Sequence, residues 1–146
     1  MTLQQWLKDQ NLPADLDSKV IFEEADFFTL GTDKTSSPAL SKPGQASLSY
    51  DYTFLCAIPP SLRTSWAETY TRLMAKGGIL IALVFPIHGD RPGGPPFSIS
   101  PELVRELFSA QKNSDGGAAW QELANLQPKG EGTQPDVQRV MVWRRL

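Results

Sequence analysis

Seven consecutive apolar residues at 79–85, Ile-Leu-Ile-Ala-Leu-Val-Phe, lie between Gly77-Gly78 and Pro86. The run is too short to cross a membrane as a helix and has the length of a strand. No polar residue interrupts it, so it predicts a strand covered on both faces, as in a largely parallel sheet. Such a strand needs helices around it, and the neighbouring sequence offers them.

Before it, Ser61 reads as an N-cap, and Leu62, Trp66, Tyr70, Leu73 and Met74 share one helical face that Gly77-Gly78 would close. After it, Ser100-Pro101 opens a second helix, with Leu103, Val104, Leu107 and Phe108 on its inner side. Residues 50–58 read as a strand stopped by Pro59-Pro60, and Val20-Ile21-Phe22 as a shorter one. Residues 120–126 and 139–145 read as the arms of a terminal antiparallel hairpin, Val140 and Val142 alternating with Met141 and Trp143. Leu3, Trp6 and Leu7 place an amphipathic helix at 2–12, ended by Pro13. Residues 30–47, rich in Gly, Pro, Ser and Thr, read as a loop insertion. The sum is one α/β domain over residues 1–146.

Several function classes fall away on composition. The formal charge is −2 and the basic residues are scattered, so nucleic acid and anionic membrane are not expected partners. One cysteine, Cys56, permits no internal disulfide, and with the single His88 leaves no cysteine or histidine cluster for a metal. No signal-like segment opens the chain, so a cytoplasmic location is expected.

In open α/β sheets ligands bind beyond the carboxyl ends of strands. Three segments end there: Asp26-Phe27-Phe28, Asp51-Tyr52-Thr53-Phe54, and Phe85-Pro86 running through His88 and Asp90 to Gly94-Pro95-Pro96-Phe97. Each has a plain alternative. Asp26 can cap a turn, the phenylalanines can be core, Tyr52 can tie its hydroxyl to backbone, and His88 can be a loop residue. Cys56, beside Ala57 and Ile58, reads as packing, and Gly93-Gly94 lacks the ending of a phosphate loop. No nucleophile–base pair is visible.

Ala25-Asp26-Phe27-Phe28-Thr29, the block Asp51-Tyr52-Thr53-Phe54-Leu55-Cys56-Ala57-Ile58-Pro59-Pro60 with Arg63 and Trp66, Gly94-Pro95-Pro96-Phe97, Ser100-Pro101-Glu102 and Met141-Val142-Trp143-Arg144-Arg145 resemble the thiopurine methyltransferase family. The likeness is strongest to its plant and fungal thiol, thiocyanate and halide methyltransferases. It implies a Rossmann-like class I fold and S-adenosylmethionine (SAM) as cofactor, with a small thiol or anion as methyl acceptor. By resemblance Asp26 and Phe27 border the adenine, Tyr52 lies beside the cofactor, and Phe85, Pro86 and Phe97 roof the acceptor pocket.

The family's first two strands, its Gly-rich turn and the acidic strand end that binds ribose have no counterpart in this sequence. The resemblance therefore implies a truncated methyltransferase domain. Its open sheet edge would favour a homo-oligomer or pairing with another chain. Two functions follow: a methyltransferase acting on a small acceptor with an incomplete cofactor site, or a non-catalytic relic that partners an intact methyltransferase.

Overall fold

The strand expected at 79–85 is the C-terminal part of a longer one, β2 (Met74–Val84). The computed structural model describes residues 19–130, 132–134 and 136–146; the helix expected at 2–12 lies outside them. Before β2 come β1 (Ala46–Asp51) and α1 (Arg63–Leu73); after it come α2 (Pro101–Ser109), β3 (Trp120–Leu126) and β4 (Arg139–Arg145). The four strands form one sheet in the order β1-β2-β4-β3. β1 and β2 are parallel, with Tyr50 opposite Ile81, whereas β2–β4 and β4–β3 are antiparallel. The sheet is thus mixed, with two of its three pairings antiparallel, because the terminal hairpin inserts β4 directly beside β2.

The two faces of this sheet differ. On one, Leu80, Ala82 and Val84 of β2 and Met141 and Trp143 of β4 are buried. Trp66 and Tyr70 of α1, Val104 and Phe108 of α2, and Trp120 complete that core. Phe108 is its hub, its ring centroid lying 4.5 Å from Trp120, 4.9 Å from Trp143 and 5.3 Å from Trp66. On the other face Ile79, Ile81, Leu83, Val140 and Val142 are only half-buried, and Leu48, Tyr50 and Tyr52 are exposed. None of these eight belongs to the core cluster. The uninterrupted apolar run predicts cover on both sides; among the described residues the helices cover one.

Three local expectations change. The strand expected at 50–58 ends at Asp51, and Leu55, Cys56 and Ile58 are buried by a turn instead of a ladder. Gly77-Gly78 does not end a helix: α1 passes straight into β2, the Met74 N–H donating to the Tyr70 carbonyl. The two glycines instead bulge β2 between its pairings with Ala46 and Leu48. Gly77 has φ +82, and a Cβ at Gly78 would meet the Ala75 carbonyl at 2.8 Å. Finally, Val20-Ile21-Phe22 forms no strand, and Ile21 and Phe22 are exposed at 71% and 42%. No described strand lies beside them to take their backbone hydrogen bonds. The helix at Ser100-Pro101 and both hairpin arms stand where the sequence puts them; Ser100 Oγ accepts from the Leu103 N–H, as an N-cap should.

Candidate functional site

The carboxyl ends of the two parallel strands are built around a buried acid. Asp51 closes β1 and is 2% exposed. Its Oδ1 accepts from the N–H groups of Phe54 (3.1 Å) and Leu55 (3.3 Å), and its Oδ2 accepts from Trp66 Nε1 at 2.6 Å. Tyr70 lies close enough to it for each group to shift the other's titration. Desolvation pushes the Asp51 carboxyl above the usual carboxylate range, against the pull of the Trp66, Leu55 and Phe54 donors and of Tyr70. The same burial, with the Asp51 charge beside it, pushes the Tyr70 phenol well up. The carboxylate therefore folds the chain sharply after β1. Thr53, inside that fold, takes φ +63. A β-branched residue at positive φ is strained, and such strain gathers at functional turns.

Tyr52 stands on this corner, 63% exposed, its ring stacked on Tyr50 with centroids 5.9 Å apart. Phe54 turns the other way. Its ring meets Phe27 edge-on at 4.8 Å, and Phe27 meets Tyr70 at 5.2 Å. Phe27 and Phe28 belong to a 3-10 turn, Phe27–Thr29, capped by Asp26, whose Oδ1 accepts from the Phe28 N–H at 3.0 Å. Arg72 of α1 holds this turn: Nε donates to the Leu30 carbonyl at 2.8 Å and Nη2 to the Phe28 carbonyl at 2.9 Å. So Asp26 and Phe27 are joined to the Asp51 corner through Phe54 and Tyr70. The rings of Tyr52 and Tyr50 pair on the outer face of β1. A cleft of about 220 Å³ beside Phe27 is lined by Glu23, Ala25, Leu30, Ser37 and Leu40.

The third segment packs as a strap over the same corner. The Phe97 N–H donates to the Cys56 carbonyl at 2.7 Å, and the Ile99 N–H to the Pro86 carbonyl at 3.0 Å. Phe97 lies against Gly94 so closely that a Cβ there would sit 2.5 Å from its ring. Pro86 is fully buried, and Phe85 and Phe97 are half-buried. The cleft of about 300 Å³ along this segment is lined instead by Ile87, Gly89, Asp90, Ser98, Ile99 and Ser100, with Arg63 and Leu103. His88 is exposed, its N–H donating to Ser98 Oγ. Cys56 is buried, and burial pushes its thiol up, away from the thiolate form that a nucleophile uses. No metal-binding cluster occurs among the described residues.

Sequence reading did not single out Asp51, Tyr70 or Arg72 for this site. An aspartate two residues before a fold in the chain is a weak Asx-turn signal; nothing in sequence tells that Trp66 and Tyr70, fifteen and nineteen residues on, will meet it.

A sheet with a parallel β1–β2 pair, helices packed on one face and chain turns at the carboxyl ends of that pair has the arrangement of a truncated Rossmann-like fold. The chain superposes on a 1,6-didemethyltoxoflavin-N1-methyltransferase of Burkholderia thailandensis, solved with 1,6-didemethyltoxoflavin and S-adenosylhomocysteine bound. The TM-score is 0.51 at 15% identity, covering 73% of this chain and 46% of that one. A structure described for the conversion of a disulfide bond into a thioacetal group during echinomycin biosynthesis gives 0.60 at 13% identity, over 97% and 60% of the two chains. At such identities the likeness is one of fold. The model of the thiopurine S-methyltransferase family matches residues 4–145, and this chain belongs to that family. A probable thiol methyltransferase 2 of Arabidopsis thaliana is 49% identical over 53 residues, 36% of this chain and 23% of that one. The match thus spans less than a quarter of that relative's length.

Proposed function

We propose that this chain serves SAM-dependent methyl transfer to a small thiol or to a thiocyanate- or halide-like anion. The observation that carries this reading is the strained corner at the carboxyl ends of β1 and β2, held by buried Asp51 and flanked by the Asp26–Phe27 turn. When bound, SAM supplies an electrophilic methyl group to a nucleophile placed in line with it. Such a transfer calls for positioning and exclusion of water more than for proton transfer. The chain's own residues suit that division of labour: among the described residues none forms a nucleophile–base pair, and Phe97 and Pro86 hold a strap over the corner.

The fit to the cofactor covers one end only. Asp26 is exposed beside half-buried Phe27, a polar edge and an aromatic wall suited to adenine. Among the described residues no glycine-rich turn is placed for the cofactor's amino-acid end, and the acid that closes β1, Asp51, is buried with both oxygens engaged, so it is not placed for ribose hydroxyls. Each such hydrogen bond is worth about 0.5–1.5 kcal/mol, and each 1.4 kcal/mol is about tenfold in affinity. Binding by this chain is accordingly expected to be weak. Calorimetric titration with S-adenosylhomocysteine tests it: weak, saturable heat that Phe27→Ala abolishes is expected. Folded protein giving no heat would favour the second reading, a non-catalytic partner of an intact methyltransferase. Assay of thiocyanate and small thiols as acceptors then decides the substrate. A cytosolic setting is part of this proposal, in keeping with a lone, buried thiol.

A further inference from the structure

Arg63 opens α1, and its side chain reaches from that helix to the strap. Its Nη2 donates to the Ser98 carbonyl at 3.1 Å. Among the described residues its guanidinium makes no other hydrogen bond, and Nε is shielded from water and donates to nothing. No described carboxylate pairs with it. Arg105, by contrast, holds both Glu102 and Glu122. Burial pulls the Arg63 guanidinium below the ordinary arginine range. A half-buried cation in this position bears the cost of desolvation with no anion to offset it.

The same arginine lines the cleft of about 300 Å³ between the strap and α2. The walls of this cleft come from α1, the strap and α2, all within the described residues. Ile87, Ile99 and Leu103 supply apolar surface. Ser98 supplies a hydroxyl: its Oγ accepts from the His88 N–H at 3.0 Å, so its own proton remains to be donated. Asp90 is the one acid among the lining residues, and it is exposed.

We propose that this cleft binds a small organic monocarboxylate. The carboxylate would lie against Arg63 and the Ser98 hydroxyl, and the apolar body against Ile87, Ile99 and Leu103. A planar guanidinium suits a carboxylate, to which it makes charge-assisted hydrogen bonds. A bare inorganic anion would leave most of the cleft empty, whereas small-molecule pockets begin at about 300 Å³. The apolar walls call for a hydrocarbon body. Asp90 limits the charge: with one cation and one acid on the cleft, a dianion such as phosphate meets repulsion that a monoanion feels less. The site needs no cofactor, so it stands or fails apart from the methyl-transfer reading.

Titration of the isotope-labelled chain with butyrate, followed in proton–nitrogen correlation spectra, tests it. The amides of Ser98, Ile99 and Leu103 and the Arg63 Nε–H are expected to shift together and to saturate. Butyramide, the same body without the charge, and inorganic phosphate should shift them far less. Arg63→Gln should weaken butyrate binding about tenfold or more, the scale of a charged hydrogen bond. Asp90→Asn should instead tighten it about twofold, because a like charge leaves the cleft. Asp90 is exposed, so folding does not depend on it. Arg63→Gln also frees the Ser98 carbonyl; if that variant does not fold, the direction of the Asp90→Asn effect decides. Shifts that grow without saturating overturn the proposal, as does an equal response to butyramide or phosphate. So does unchanged butyrate binding in folded Arg63→Gln, or weaker binding in Asp90→Asn.

Discussion

Asp51 is the residue on which the corner after β1 depends. Both of its oxygens are occupied by donors, two backbone N–H groups on Oδ1 and the Trp66 indole on Oδ2. An amide in its place must turn its NH₂ toward one set of donors, leaving a buried polar group unmatched. Asp51→Asn is therefore expected to destabilise the chain by about 1–3 kcal/mol in urea unfolding. The pH dependence has a definite sign. An unfolded aspartate titrates near 3.9, roughly, and desolvation holds Asp51 above its ordinary range in the fold. Between the two values the native state binds a proton that the unfolded state lacks. The stability contributed by this group thus falls as pH rises through that window and stays level above it. The gap in stability between wild type and Asp51→Asn should be widest at the acid end, near pH 4, and narrow toward neutrality. A gap that widens with rising pH would contradict the burial of this carboxyl.

At the scale of elements, β2 carries the fold, and its two faces bear unequal loads. Leu80 is fully buried under α1 and α2, whereas Ile81 meets Tyr50 and Val142 across the strands on the half-open face. Leu80→Ala is expected to cost about 2–5 kcal/mol, the range for a buried large-to-small change. Ile81→Ala should cost clearly less, because little close packing surrounds it; thermal unfolding of both variants measures the difference. The 79–85 run made the strand legible, and the Ser100 cap and the alternation at 139–145 made α2 and β4 legible. The face assignment was not, since a run apolar at every position holds no record of which side meets the helices. The turn at 52–58 was misread for a related reason. Burial there comes from a chain folded by one carboxylate, and aromatic content alone reads the same in a strand.

Across the whole molecule, one face of a central apolar sheet has no covering layer among the described residues. Leu48, Tyr50 and Tyr52 continue through Ile79, Ile81 and Leu83 into Val140 and Val142. A contiguous apolar surface of this kind binds hydrophobic dyes and partners. The native chain is expected to enhance the fluorescence of 8-anilinonaphthalene-1-sulfonate at neutral pH while still unfolding cooperatively on heating. Cooperative unfolding separates this from a molten state, which binds the dye through lost packing. No enhancement in the folded chain would mean that the face is covered.

The sequence by itself determined the elements whose signals are local: the central strand, the capped helix after it, the hairpin arms, and the family written in the Asp51 and Ser100 blocks. It put Asp26 and Phe27 at the end of a strand over 20–22 that does not form; their approach to the Asp51 corner runs through Phe54 and Tyr70 instead. Only the tertiary structure decided that Asp51 meets Trp66 and Tyr70, that Arg72 ties the Asp26 turn to α1, and that Tyr52 turns outward onto Tyr50. Those contacts join residues far apart in the chain, and their energy exists only after packing brings them together and excludes water. The neighbours of β2 belong to the same category: a strand's pattern specifies its two faces, but which strands lie beside it is settled only when the sheet assembles.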